Sequence, residues 1–369
     1  MRAGSVRFWY LTGQIVFPSL RNDVTRGAYI LAPLGPDLSP REAAFFKEAD
    51  PWGFILFARN CETPEQLRRL TKELRSAVGW YAPILIDQEG GRVQRMRAPH
   101  WREYMPPLDQ VALFDIRTDI VSENDAFSAR RSMYLRGLLI GHELMDHGVD
   151  VNCAPSADIA WPETHPFLKN RCYGTNASVV ARMAEACAEG LMDAGCLPVV
   201  KHAPGHGRAT LDSHKELPRI GASLEELSTT DFAAFKALSD LPMVMTAHIV
   251  LPEIDADVPV TLAPKGVRYL RQSLELDGLL MTDDISMEAL SGSVVDRGAG
   301  ALAAGCDLVL HCNGALDEME TLADKLPRMT KAATARAGMA LAARRAPIDI
   351  DISAVEAEFT SLIEGAKNA

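Results

Sequence analysis

The sequence predicts a single-domain α/β protein closed into a (β/α)8 TIM barrel, and three observations predict it. Eight short apolar runs recur along the 369 residues. Amphipathic stretches of helical period separate them. Polar residues gather at the carboxyl ends of the runs, where a barrel carries its chemistry.

The runs are AYILAPL (28–34), GFILF (53–57), PILID (83–87), VDVNCAP (149–155), LPVVKH (197–202), PMVMTAH (242–248), GLLMTDD (278–284) and DLVLHC (307–312). All are too short for helices and are edged by turn residues, as buried parallel strands are. After the second run, residues 65–78 place apolar side chains three and four apart, and residues 124–148 and 178–195 do the same. Gly195 supplies a C-cap for the last of these. Residues 224–238, 264–275, 316–341 and 352–365 complete the helical set. The gap at 88–148 must hold more than one helix and a loop insertion. Strands alternating with helices imply a parallel sheet with crossovers, and eight units favour closure. An open doubly wound sheet is the rival, but GxGxxG is missing after the first run.

Residues 24–369 form the predicted barrel domain, with no Pro/Ser-rich linker dividing it. Residues 1–23 read as an extension and not a signal peptide. Their apolar stretch is broken by Thr12, Gly13 and Gln14, and no small-x-small site comes after it. A natural start at Val24 is expected. The composition, 47% hydrophobic and 24% charged with net charge −11, is that of a globular protein. No Lys/Arg run is present, which argues against a nucleic-acid partner. No run reaches the roughly 18 apolar residues of a membrane span. Seven cysteines without CxxC spacing fit free thiols in a reducing compartment, hence a cytoplasmic protein.

Read together, the strand ends define a pocket. Asp87 closes the third run, Asn152 the fourth, Lys201 and His202 the fifth, His248 the sixth, and Asp283 with Asp284 the seventh. The densest constellation is KHAPGHGRATLDSHKELP (201–218). A metal centre using His202, His206, His214 and Asp283 is one reading of it, although Pro204, Gly205 and Gly207 exclude a regular helix there. The other is a mobile, glycine-hinged loop over 205–214 that presents His214 as general acid/base, with Asp212 fixing its tautomer. In LIDQEGGRVQRM (85–96), Asp87 can accept sugar hydroxyls, and a tight turn at Gly90 and Gly91 lets Arg92 or Arg95 fold back toward the pocket. In MTDDISM (281–287), Asp283 should point into the barrel mouth, while Asp284 faces away or caps the next helix.

On GFILFARN, LIDQEGGRVQRM, NRCYG, KHAPGHG with DSH, MVMTAH, MTDDISM and GCDLVLHCNG, the sequence resembles glycoside hydrolase family 3, in its short β-N-acetylhexosaminidase branch. The resemblance runs from about Ala28 to Asn313, and KHxPGHG followed by DSH is its most specific part. Ala203 stands where an aromatic residue is usual, and Thr282 where serine is frequent. The resemblance implies a (β/α)8 barrel without cofactor or metal. It implies a retaining, exo-acting mechanism with Asp283 as nucleophile and the Asp212–His214 pair as acid/base. Asp87, Arg95, Arg171, Lys201 and His202 would hold N-acetylglucosamine. The implied substrates are 1,6-anhydro-N-acetylmuramyl peptides of peptidoglycan recycling, handled by a monomer. A phosphorylase, with phosphate in place of water, is the alternative within the family.

Overall fold

The computed structural model describes residues 25–114, 116, 123–210, 217–313 and 315–368, with a short antiparallel strand pair at Tyr10–Leu11 and Gln14–Ile15. All eight expected strands form. They are β1 (Gly27–Leu31), β2 (Pro51–Leu56), β3 (Ile84–Ile86), β4 (Val151–Asn152), β5 (Leu197–Pro198 and Val200–Ala203, either side of Val199), β6 (Met243–Thr246), β7 (Leu279–Asp284) and β8 (Leu308–His311). Each pairs in parallel with the next, and β8 returns to β1 through Val309↔Tyr29 and Leu310↔Ile30. β5 joins the ring on both sides, through Val151↔Leu197 and Val200↔Val244. The ring therefore closes, and the barrel expectation holds over the open sheet.

Seven crossovers carry helices on the outside, α1 (Pro40–Ala49), α2 (Pro64–Val78), α3 (Glu123–Asp146), α4 (Ala177–Asp193), α5 (Leu224–Thr229, then Asp231–Lys236), α6 (Pro264–Gln272) and α7 (Val294–Ala304), and α8 (Leu316–Lys325) follows β8. Two more come after them, α9 (Lys331–Ala342) and α10 (Ile352–Asn368). The stretch expected as one helix at 316–341 is split, because Pro327 removes a donor and crowds the preceding turn. The stretch at 224–238 breaks at Thr230 (φ −122°, ψ −100°), where Thr230 and Asp231 turn to bind Arg208.

Side-chain alternation sorts each strand into two cores. Ala28, Ile30, Leu85, Val151, Leu197, Met243, Leu279 and Met281 face the lumen, where Ala333, Ala337 and Leu341 of α9 join them. Tyr29, Leu31, Phe54, Ile84, Val244, Leu280 and Val309 face outward onto the helix ring. Each fully buried Leu or Ile contributes about 1.5–3 kcal/mol. α9 closes the amino-terminal end of the barrel, tied there by Arg336 to Asp307 and Arg344 to Asp150. The opposite end is open to other uses. All seven cysteines are free thiols, six of them buried. Among the described residues, no helix is long and apolar enough to cross a membrane.

Candidate active site

Strand parity aims three charged groups at the carboxyl-end mouth. Leu85 faces the lumen, so Asp87 two residues on does too; Val199 likewise sets Lys201, and Met281 sets Asp283. Asp87 is joined by Lys201 Nζ (2.7 Å, to Oδ1) and by the Arg95 guanidinium (2.8 Å, to Oδ2). Arg95 reaches back because Gln88 clamps its loop. The Gln88 side-chain oxygen accepts from the Arg95 and Met96 N–H groups, and its amide donates to Met96 O. Gln88 N–H in turn donates to Asn152 Oδ1 at the end of β4.

Beneath this pair lies a second one. Glu89 accepts two parallel bonds from Arg171, at 2.9 and 2.8 Å, and pairs with Lys201 at 2.7 Å. Arg171 also lies 3.3 Å from His202 Nε2, and His202 Nδ1 lies 2.7 Å from Asp158 Oδ2. Asp158 is fully buried and takes further bonds from Ser156 Oγ (3.0 Å) and His206 N–H (2.6 Å). One continuous ionic network thus runs from Asp158 to Arg95.

The network fixes charge states. Burial alone would raise the Glu89 carboxyl, but Arg171 and Lys201 outweigh it and bring it down to about 2. Burial would lower the Lys201 ammonium, yet Asp87 and Glu89 raise it above its ordinary value. At Asp283, burial is opposed by His202, His248, the Asp284 N–H (2.8 Å to Oδ1) and Lys201, and the carboxyl sits below its usual range. Burial pushes His206 down to about 4, so it is neutral near pH 7, and its buried Nδ1 has no hydrogen-bond partner among the described residues.

Asp284 does structural work. Its carboxylate accepts from the Ser286 N–H and hydroxyl, the Cys312 N–H and the Asn313 amide, latching the end of β7 to that of β8. His248 is wedged between Thr261 Oγ1 (2.9 Å) and Asp284 O (3.1 Å).

The described part of the loop expected to be glycine-hinged is held by its neighbours over residues 205–209. Gly207 lies so close to Ile159 O that a Cβ there would sit 1.9 Å from it. Thr164 Oγ1 donates to Gly207 O, His165 N–H donates to Ala209 O, and Arg208 stacks on Trp161 while binding Asp231. Asp212 and His214 lie outside the described residues.

Asp87, Arg95, Arg171, Lys201, His202 and Asp283 therefore come together. Glu89 and Asp158, central to the network, do not stand out in the sequence. Glu89 sits inside the LIDQEGG motif, and an acid buried in a glycine turn is the available signal; Asp158 carries none. Arg92 does not enter the pocket and instead lies over Phe167. A metal at His202 is opposed by the neighbours of that ring, a carboxylate at Nδ1 and a guanidinium cation at Nε2. Among the described residues no group of three or more His, Cys, Asp or Glu is arranged to hold an ion. A groove of about 670 Å³ between Arg102 and α10 lies away from this constellation and gathers no comparable convergence of charge.

Known proteins share this architecture. The sequence model of the glycosyl hydrolase family 3 N terminal domain matches residues 39–340. A beta-hexosaminidase of Bordetella avium is 35% identical over 285 residues, 76% of this chain and 78% of its own. One from Methylobacillus flagellatus is 32% identical over 79% of this chain and 81% of its own. NagZ from Neisseria gonorrhoeae, solved with N-trifluoroacetyl-D-glucosamine, superposes with a TM-score of 0.79 at 28% identity, covering 94% of this chain and 98% of its own. A family 3 beta-N-acetylglucosaminidase from a Paenibacillus species gives 0.78 at 28% identity, covering 92% and 66%. The chain belongs to glycosyl hydrolase family 3 and is a glycoside hydrolase.

Proposed function

We propose that this enzyme is a retaining, exo-acting β-N-acetylhexosaminidase that removes N-acetylglucosamine from β-linked glycosides without cofactor or metal. The observation that carries the reading is the Asp283 carboxylate, kept ionised at the barrel mouth by His202, His248, Lys201 and a backbone N–H. An ionised carboxylate facing a sugar is the nucleophile that a retaining mechanism needs. Asp283 attacks the anomeric carbon and forms a glycosyl ester while the leaving oxygen takes a proton from His214, oriented by Asp212. The same imidazole then deprotonates the water that resolves the ester. A histidine in this role adds no second negative charge beside Asp283.

Asp87, Arg95, Arg171, Lys201 and His202 hold the N-acetylglucosamine. Asp87 has two of its roughly four acceptor directions taken by Lys201 and Arg95, which leaves the others for sugar hydroxyls. The resemblance of the KHAPGHG and DSH segments to the short branch of the family supports 1,6-anhydro-N-acetylmuramyl peptides as the natural glycosides. It also supports a cytoplasmic monomer acting in peptidoglycan recycling.

The test is turnover of a chromogenic N-acetyl-β-glucosaminide. Asp283→Ala should lose at least about a thousandfold in kcat with an unchanged melting temperature. His214→Ala should be rescued in its first step by good leaving groups. An Asp283→Ala enzyme that stays active, or a product of inverted anomeric configuration, refutes the assignment.

A further inference from the structure

The acidic residues of this chain outnumber its basic ones, 49 to 38, and arginines around the barrel mouth are correspondingly well supplied with acceptors. Arg95 holds Asp87, Arg171 holds Glu89, and Arg208 holds Asp231. Arg97 binds Glu103 and the carbonyls of Gly91 and Arg92, while Arg59 binds the carbonyls of Pro33 and Cys312. Arg92 differs from all five. Among the described residues its guanidinium meets no carboxylate or carbonyl. It stacks instead on the face of Phe167, whose ring centre lies 4.0 Å from its Cζ.

The position is built. Arg92 sits at the tip of the hairpin between Gln88–Gly90 and Val93–Gln94. Gly91 turns there at φ +59°, where a Cβ would strike Pro106. Arg97 holds the tip's two carbonyls, and Gln88 clamps the returning strand. The same Phe167 ring lies 5.5 Å from Cζ of Arg171, and Arg171 touches His202 in the pocket. Phe167 thus stands between a buried arginine of the sugar site and an exposed one at its rim. A guanidinium is planar by delocalisation, and stacking restricts its rotamers while leaving the N–H edge free, the arrangement suited to bidentate capture of a carboxylate.

We infer that Arg92, braced by Phe167, is a specificity residue that binds a carboxylate on the leaving group of the glycoside. The inference rests on the β-N-acetylhexosaminidase reading and names the chemistry of its aglycone. The buried site recognises the sugar; the rim recognises negative charge beyond the scissile bond. Rim charges act on binding more than on the chemical step, so the effect belongs in KM.

The experiment compares wild type with Arg92→Gln on three disaccharides: N-acetylglucosaminyl-β-1,4-N-acetylglucosamine, which is neutral; its analogue with N-acetylmuramic acid, which adds a lactyl carboxylate; and the latter extended by L-alanine, which moves the carboxylate outward. Arg92→Gln should lower kcat/KM at least about tenfold, through KM, on an acidic substrate and no more than about twofold on the neutral one. Whichever acidic disaccharide shows the larger loss locates the carboxylate that is read. Arg92→Lys should recover part of the loss, since charge returns without the planar fork. An equal fall on all three substrates, or no fall on either acidic one, overturns the inference. Failure of wild type to hydrolyse the neutral disaccharide and a chromogenic N-acetyl-β-glucosaminide would instead overturn the underlying activity. Arg92 is exposed, and a matching melting temperature excludes misfolding as the cause.

Discussion

The two ends of the barrel both bury carboxylates among arginines, yet only one end is built for chemistry. At the amino-terminal floor, Asp150 accepts from Arg75, Arg344 and the Ile84 N–H. Asp307 accepts from Arg271, Arg336 and the Leu280 N–H. Each pins the start of one strand to its neighbour and to outer helices, and its oxygens are filled by protein. At the mouth, Asp87 keeps open acceptor directions, and Asp283 faces His202 and His248 with no arginine paired to it among the described residues. A buried ion pair therefore does not by itself mark a site. What distinguishes the mouth is carboxylate acceptor capacity that the protein leaves unused.

The sharpest way to break this comparison is to disturb the closed end. Asp307→Asn removes the charge that faces two buried or half-buried arginines, and losing one partner of such a pair costs about 3–5 kcal/mol. Chemical denaturation should register that loss, with KM for a chromogenic N-acetyl-β-glucosaminide unchanged. A large change in KM would mean that the floor is coupled to the site and that the two ends do not divide their tasks.

Glu89→Gln tests the open end. Glu89 is 2% exposed and bridges Arg171 and Lys201, so the variant should misplace both donors and cost about 2–3 kcal/mol in kcat/KM, read as a rise in KM. The carboxyl also makes a definite pH signature. Its pKa falls on folding to about 2, so its stabilisation is complete above the ordinary glutamate range near 4.5. That stabilisation is lost progressively as pH drops toward 2. Wild type and variant should therefore converge in stability near pH 2 and diverge above pH 5. Parallel curves across that window would show that the pair is not what holds Glu89 ionised.

How far the sequence discloses each end depends on the range of the interactions. The eight strands are legible because short apolar runs edged by turn residues are local, and the inward aim of Asp283 comes from counting residues along β7. Helices α1 and α7 are missing from the sequence reading although their signals are local too. Ser39 with Glu42, and Ser293 with Asp296, form complete capping boxes, and Pro40 opens α1. Glu89 and Asp158 are a different case. Glu89 acquires meaning from Arg171, 82 positions away, and Asp158 from His202, 44 positions away. Neither spacing leaves a trace in one sequence. The break of α5 at Thr230 is equally hidden, since its cause is Arg208 arriving from the β5 loop.

The smallest expected effect comes from a glutamate that lacks the pairing of the mouth. Glu143, on α3 against Trp101 and Arg102, is half-buried; its Oε1 accepts the Arg102 N–H at 3.2 Å, and its buried Oε2 has no partner among the described residues. Burial outweighs the Arg102 N–H and charge and lifts its carboxyl to about 7. Glu89 is more deeply buried and moves the opposite way, so pairing and not burial decides the sign. Between about pH 4.5 and 7 the folded chain keeps a proton at Glu143 that the unfolded chain releases, and stability falls as pH rises through that window. Glu143→Gln retains the acceptor for Arg102 and cannot ionise. Its melting temperature should exceed that of wild type by about 1 °C at pH 8, a gain of under about 1 kcal/mol, and match it at pH 5. A gain that is equal at both pH values would trace to packing and leave the contrast with Glu89 unsupported.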